Sequence, residues 1–124
     1  MPKKTIQIKT PLYTETVEIR ISGYANNGNL YVGLISTDDE GYQEPFADVT
    51  TNLDVKLPPF QAYIKNYSEN EGMLAFLLDN GFGKVIGEGA SGYIKAPLFL
   101  FDEERLKEFD EDGVSEYKSR NTRR

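Results

Sequence analysis

Apolar and polar residues alternate twice near the start of the chain: Gln7 separates Ile6 from Ile8, and Glu18 and Arg20 separate Val17, Ile19 and Ile21. A period of two puts one set of side chains on one face of an extended backbone, so both stretches predict half-buried β-strands. Asn26-Asn27-Gly28-Asn29 divides the second of them from a run over Leu30 to Ile35, and Asn-Gly supplies the positive backbone dihedrals of a tight hairpin turn. Gly28 is therefore expected at positive φ. The polar run Ser36 to Gly41 ends that strand, and Phe46 to Thr51 resumes an extended pattern ahead of Leu53 and Val55. Pro58-Pro59 breaks the meander, because two proline rings donate no ladder hydrogen bonds. Gln61 to Lys65 then restarts as a short edge strand.

The period changes after Ser68-Glu69-Asn70-Glu71, which has the spacing of a capping box and predicts a helix start. Met73, Leu74, Leu77 and Leu78 fall on one helical face with Phe76 beside them, and Asn80-Gly81 provides a left-handed stop. Tyr93 to Phe101 reads as the last strand, with Pro97 confining its middle to an edge or a bulge. Asp102 is placed as the N-cap of a short helix carrying Leu106 and Phe109, with Glu103 and Glu104 at its positive end. From Asp110 onward the residues are polar and charged, which predicts fraying. The expected architecture is a single α+β domain over 1–109 with a flexible charged tail over 110–124. It is mostly antiparallel sheet, a meander of about five to six strands, with one main helix packed on it and a short C-terminal helix.

Composition narrows the chemistry. A chain of 124 residues that is 39% hydrophobic is enough for one core. Cysteine and histidine are both absent, which removes disulfides, thiolate and imidazole metal sites, and every triad that depends on an imidazole. Catalysis would have to run on carboxylates, Lys, Tyr or Ser, so the expectation is a non-enzyme with no cofactor and no metal. No stretch is apolar enough to span a bilayer, and Met1-Pro2-Lys3-Lys4 is not followed by a signal-peptide apolar block. A cytoplasmic protein without membrane contact is expected.

The net charge of -6 is uneven. Four of the fourteen basic residues stand in the last seven positions, so the chain to Tyr117 carries ten against twenty acids, a net of -10. A field of that sign repels nucleic-acid phosphate and suits a basic partner, although it also serves plain solubility.

Several constellations have two readings. Gly87-Glu88-Gly89-Ala90-Ser91-Gly92 matches the glycine pattern of phosphate-cradling loops, but the residues after it read as a strand and not a helix, which favours a β-turn. Asp38-Asp39-Glu40 and Asp110-Glu111-Asp112 are acidic clusters without the alternating spacing of a calcium loop, and read as solvated turns. Glu44 and Asp48 are a carboxylate pair that nothing singles out for acid–base work. Eight tyrosines make that residue the leading aromatic, suited to anchoring a protein interface, to stacking bases, or to packing at strand edges. The basic tail Lys118 to Arg124 would touch nucleic acid only weakly and without sequence preference.

Three runs, Tyr24-Ala25-Asn26-Asn27-Gly28-Asn29-Leu30-Tyr31-Val32-Gly33-Leu34-Ile35, Glu44-Pro45-Phe46-Ala47-Asp48-Val49-Thr50 and Leu57-Pro58-Pro59-Phe60, carry a resemblance, with Asn80 to Lys84, Ser91 to Tyr93 and Pro97 to Asp102. Over 20–106 the chain resembles a family of small bacterial proteins of unknown function, found on conjugative elements, plasmids and phages of Gram-positive bacteria. The resemblance supplies no catalytic residues. It implies an accessory protein of a mobile element, of the sort that blocks a host defence nuclease. The expectation is therefore protein–protein binding, with a basic, nucleic-acid-handling protein as partner and anti-CRISPR or anti-restriction inhibition as its sharpest form. The candidate partner-binding residues are Tyr31, Asp38, Asp39, Glu40, Tyr42, Glu44, Glu88 and Tyr93. The alternative is a nucleic-acid-binding factor using strand tyrosines and the basic tail.

Overall fold

The computed structural model describes residues 4–9, 14–53, 55–67, 70–91 and 94–122. The predicted alternation forms the first sheet. Strands β1 (Thr5–Lys9), β2 (Thr14–Gly23), β3 (Leu30–Thr37) and β4 (Gln43–Asp48) lie side by side in that order, all antiparallel. The register sets Ile19 against Leu34 and Ile21 against Val32, so Ile8, Val17, Ile19, Ile21, Val32 and Leu34 are all buried on one face. Between β2 and β3 the Tyr24 N–H donates to the Asn29 carbonyl and the Gly28 N–H to the Tyr24 carbonyl, both at 2.8 Å, with Gly28 at φ 74. The loop is four residues long, Ala25 to Gly28, with Gly28 alone in it at positive φ.

Strands β5 (Thr50–Thr51), β6 (Gln61–Ile64), β7 (Gly83–Ser91) and β8 (Ile94–Phe101) form a second antiparallel sheet in the order β5-β6-β8-β7. The meander therefore splits at Val49. Its N–H donates to the Val32 carbonyl and its carbonyl accepts the Lys65 N–H, each at 2.9 Å, so one residue bonds to both layers. The segment expected as a short edge strand, β6, is an inner one with β5 on one flank and β8 on the other. Pro97 lies just past the β6–β8 ladder, which spans only Leu98 to Leu100 on β8, so that flank of the proline is unpaired as its missing N–H requires.

The glycine-rich segment departs most from the sequence reading: from Gly83 to Ser91 it is a strand and not a loop. Tertiary contacts explain the glycines. A Cβ on Gly89 would strike the Tyr63 ring, which reaches over it from β6, and one on Gly83 would strike the Leu100 carbonyl. Ile86 is an extra residue between the pairs Val85–Phe99 and Gly87–Leu98, a β-bulge.

Helix α1 (Met73–Asp79) starts later than the capping box implies. Gly72 at φ 95 is its N-cap with no side-chain bond, and the Asn66 side-chain oxygen accepts the Leu74 N–H at 2.8 Å instead. Ser68 and Glu69 lie outside the described residues, while Asn70 is drawn to the sheet crossover, where its amide donates to the Asp48 carbonyl. The buried face is Met73, Phe76 and Leu77, with Leu78 exposed. The stop is as predicted: Gly81 at φ 72 donates to the Leu78 carbonyl and Phe82 to the Leu77 carbonyl, a Schellman closure.

Helix α2 (Glu103–Thr122) overturns the expected tail at Asp110. Asp102 caps it as predicted, accepting the Glu104 N–H at 3.0 Å and the Arg105 N–H at 3.3 Å. At Asp110 the backbone leaves helical geometry (φ -153, ψ 74) and turns a corner, sharp enough that Lys118 reaches Glu103 at 2.7 Å. Asp110 caps the second segment by accepting the Gly113 N–H at 3.1 Å, while its other oxygen accepts the Ile21 N–H of β2 at 2.8 Å. That stretch of β2 lies beyond the β1 ladder, so the helix covers an otherwise open strand edge. The second segment buries Val114 and Tyr117 in the same core as both sheets and α1.

Tyr117 is 1% exposed, and its hydroxyl accepts the Phe60 N–H at 2.9 Å. Phe60 holds φ 63, a conformation that costs a bulky residue about 1 kcal/mol, and the Tyr117 ring packs edge-on against it at 5.1 Å. Arg105 ties the two helices together by donating to the Asn80 carbonyl at 3.0 Å and lying over the Phe82 and Phe109 rings.

Candidate partner-binding surface

The structure separates the candidate residues into three groups. Asp38, Asp39, Glu40, Tyr42 and Glu44 stand together on the β3–β4 hairpin, all exposed. Local chemistry builds the tip: Asp38 Oδ1 accepts the N–H groups of Glu40 and Tyr42, each at 2.9 Å, and Gly41 takes φ 88. That turn orders the backbone while Tyr42 stays 70% exposed, the most exposed large hydrophobic residue described. Gln43 anchors the base of the hairpin by donating to Glu18 at 3.0 Å. The result is an ordered turn on which the carboxylates and the Tyr42 ring are all exposed.

Tyr31 is not part of it. Its hydroxyl donates to Asp48 Oδ1 at 2.7 Å, its ring covers Gly33, and Tyr24 meets it edge-on at 5.5 Å. Burial first, and the Asp48 carboxylate beyond that, push the Tyr31 phenol well above the usual tyrosine range. Tyr24 is raised by burial too, its hydroxyl sharing a 3.0 Å hydrogen bond with Thr50. These tyrosines close the crossover between the sheets. Asp48 is thereby engaged at the far end of β4 from Glu44, and the structure gives that carboxylate pair no common site. Glu88 is exposed on β7 in the second sheet, opposite Pro97, and Tyr93 lies outside the described residues.

The sequence reading missed a cluster of amides behind the β2–β3 turn. Asn29 is buried, with its amide donating to the Asn52 side-chain oxygen and the Val55 carbonyl and its own oxygen accepting the Leu57 N–H. Asn52 also donates to Asn26 and Asn27. The residues around Leu53 and Val55, expected to extend the meander, are instead strapped to the hairpin. Four asparagines within 26–52 were the available signal, but amide pairing across 23 to 26 positions is invisible in one dimension.

Residues 18–121 match a protein family described as a domain of unknown function, DUF4313. The chain belongs to this family. No curated protein and no solved structure matches it. Membership in DUF4313 agrees with the uncharacterised family that the sequence resembles, and the matched span includes both the hairpin and the α2 corner. Among the described residues no helix is long and apolar enough to cross a membrane, and no cluster of three or more acidic side chains is arranged to hold a metal ion.

Proposed function

We propose that this DUF4313 protein is a non-enzymatic accessory protein that acts by binding a basic protein partner through the β3–β4 hairpin. The observation that carries the proposal is the gathering of Asp38, Asp39, Glu40, Glu44 and Tyr42, all exposed, on one ordered hairpin. Carboxylates around an aromatic anchor combine long-range steering of a cationic surface with a ring that excludes water at contact. In its sharpest form the partner is a host defence nuclease, met by a protein of a mobile genetic element and blocked at its nucleic-acid channel, as an anti-CRISPR or anti-restriction factor. Pull-down from host lysate should recover a basic, nucleic-acid-handling protein at low salt and lose it with Tyr42→Ala or Glu40→Lys. Recovery of none, or equal recovery by these variants, removes the hairpin reading. Adding the purified chain to the captured nuclease should then suppress DNA cleavage.

The second reading, direct nucleic-acid binding, loses support at its two proposed contacts. Lys118 and Arg120 of the basic tail pair with Glu103 and Glu116 at 2.7 and 3.1 Å. Tyr24, Tyr31 and Tyr63 pack against neighbouring groups and do not present a row of open ring faces. A gel shift with single-stranded DNA that weakens on deleting 118–124 would restore it.

A further inference from the structure

We infer that the outer edge of β7 is a second interaction surface, one that accepts an extended segment of another protein as an added strand. β7 is a nine-residue strand that, among the described residues, is bonded to β8 on one side only. Along Lys84 to Glu88 every residue is exposed, and Val85 (44%) and Ile86 (42%) are two of the few exposed large hydrophobics described. The other three outer strands offer less to an incoming strand: β5 has two residues, β1 has five, and Pro45 removes an N–H from the middle of β4. Past the bulge, Gly87, Gly89 and Ala90 raise no side chain that would hold an incoming backbone away. The Tyr63 ring lying over Gly89 keeps that flexible stretch extended. Unpaired N–H and C=O groups beside two apolar side chains are the chemistry that strand addition satisfies.

Charge and register decide the occupant. A second copy would bring a net charge of -6 against an equal charge. The bulge also puts two-fold pairing out of phase. Lys84 is opposite Leu100 while Glu88 is opposite Pro97, so the two charges lie on opposite faces. An antiparallel copy centred on Ile86 would oppose Lys84 to the other copy's Glu88 without letting them meet. A pair centred on Gly89 would align only Gly87 to Ser91, setting Glu88 against Ala90 and leaving Val85 and Ile86 outside the ladder. The fitting occupant is a segment of a different protein, apolar opposite Val85 and Ile86 and basic opposite Glu88. This surface does not depend on the hairpin, and Tyr42→Ala should leave it intact.

The experiment titrates the full chain with two synthetic nonapeptides built on threonine and one valine, one carrying lysine two positions before the valine, as the shared face of Val85 and Glu88 requires, and one carrying glutamate there, and follows backbone amide resonances. The lysine peptide should shift and protect amides of 83–91, the glutamate peptide should bind about tenfold or more weakly, and Ile86→Lys should abolish the shifts while melting like the parent. Absence of shifts in β7 at millimolar lysine peptide, or unchanged binding by Ile86→Lys, overturns the inference. A dimer in light scattering that Ile86→Lys converts to monomer overturns the choice of occupant, since the edge would then serve a second copy.

Discussion

The α2 corner and the β3–β4 hairpin are both rich in acid, yet the corner turns one acid, Asp110, into the core while its Glu111 and Asp112, like every acid of the hairpin, face solvent. At the corner the Asp110 carboxylate is buried and divided between the N–H groups of Gly113 and Ile21, so it joins a helix to a strand edge. At the hairpin Asp38 bonds only within its own turn, and the carboxylates of Asp39, Glu40 and Glu44 have no hydrogen-bond or ion-pair partner among the described residues. A charge placed against backbone donors holds a fold together, whereas one left to solvent on an ordered loop stays available to a partner. Substitutions should accordingly cost stability at the corner and binding at the hairpin.

The largest loss is expected from Tyr117→Ala, which removes a buried ring and the acceptor of the Phe60 N–H. Chemical denaturation should show about 3–5 kcal/mol less stability, and a loss below about 1 kcal/mol would mean the second segment of α2 contributes little. Asp110→Ala comes next, at about 2–3 kcal/mol, because two backbone donors lose their acceptor. Gly113→Ala tests the same corner from the other side. Its Cβ would press on Asp110 and on the Ile21 carbonyl, so hydrogen exchange at the Ile21 amide should accelerate even where the global melt survives.

Gly28→Val should cost at least about 1 kcal/mol, read as a lower melting temperature, because φ 74 disfavours a β-branched residue. A parental melt would mean the β2–β3 turn is not built as described. The alkaline limb of stability reads the crossover tyrosines together with Tyr117, whose phenol is also raised by burial. Tyr24 and Tyr31 titrate above the ordinary value of 10.0 when folded, so the unfolded chain loses those protons first. Their contribution is complete below pH 10 and falls away as pH rises from there toward the folded values. Tyr31→Phe should flatten that fall in denaturation curves taken across the range. The smallest effect on stability belongs to Tyr42→Ala and Glu40→Lys, within about 0.5 kcal/mol. A large destabilisation there would make the hairpin a structural element and end the comparison.

Local rules made much of this molecule legible in the sequence. Alternation at Ile6–Ile8 and Val17–Ile21, positive φ at Gly28 and Gly81, the Asp102 cap and the exposed acidic turn at 38–42 each depend on residues within one turn or one strand. The α+β class follows from the same signals. The sequence also brought Asp38, Asp39, Glu40, Tyr42 and Glu44 forward together, because a hairpin keeps sequence neighbours as spatial neighbours.

What only the tertiary structure decided rests on partners far along the chain. Gly83 to Ser91 looks like a loop because glycine is poor in strands, and it becomes a strand because β8 offers a ladder and Tyr63 covers Gly89. The stretch after Asp110 looks like a tail because its composition is polar. It folds because Val114 and Tyr117 find a core, and Asp110 finds Ile21, 89 positions away. Tyr31 reads from the sequence as an exposed strand tyrosine, and the fold half-buries it and ties its hydroxyl to Asp48 on the neighbouring strand. Propensity and spacing report only what a residue gains from its immediate neighbours. Burial, cross-strand pairing and long-range capping are gained from the rest of the fold, and at Gly89, Asp110 and Tyr31 those gains override the local preference.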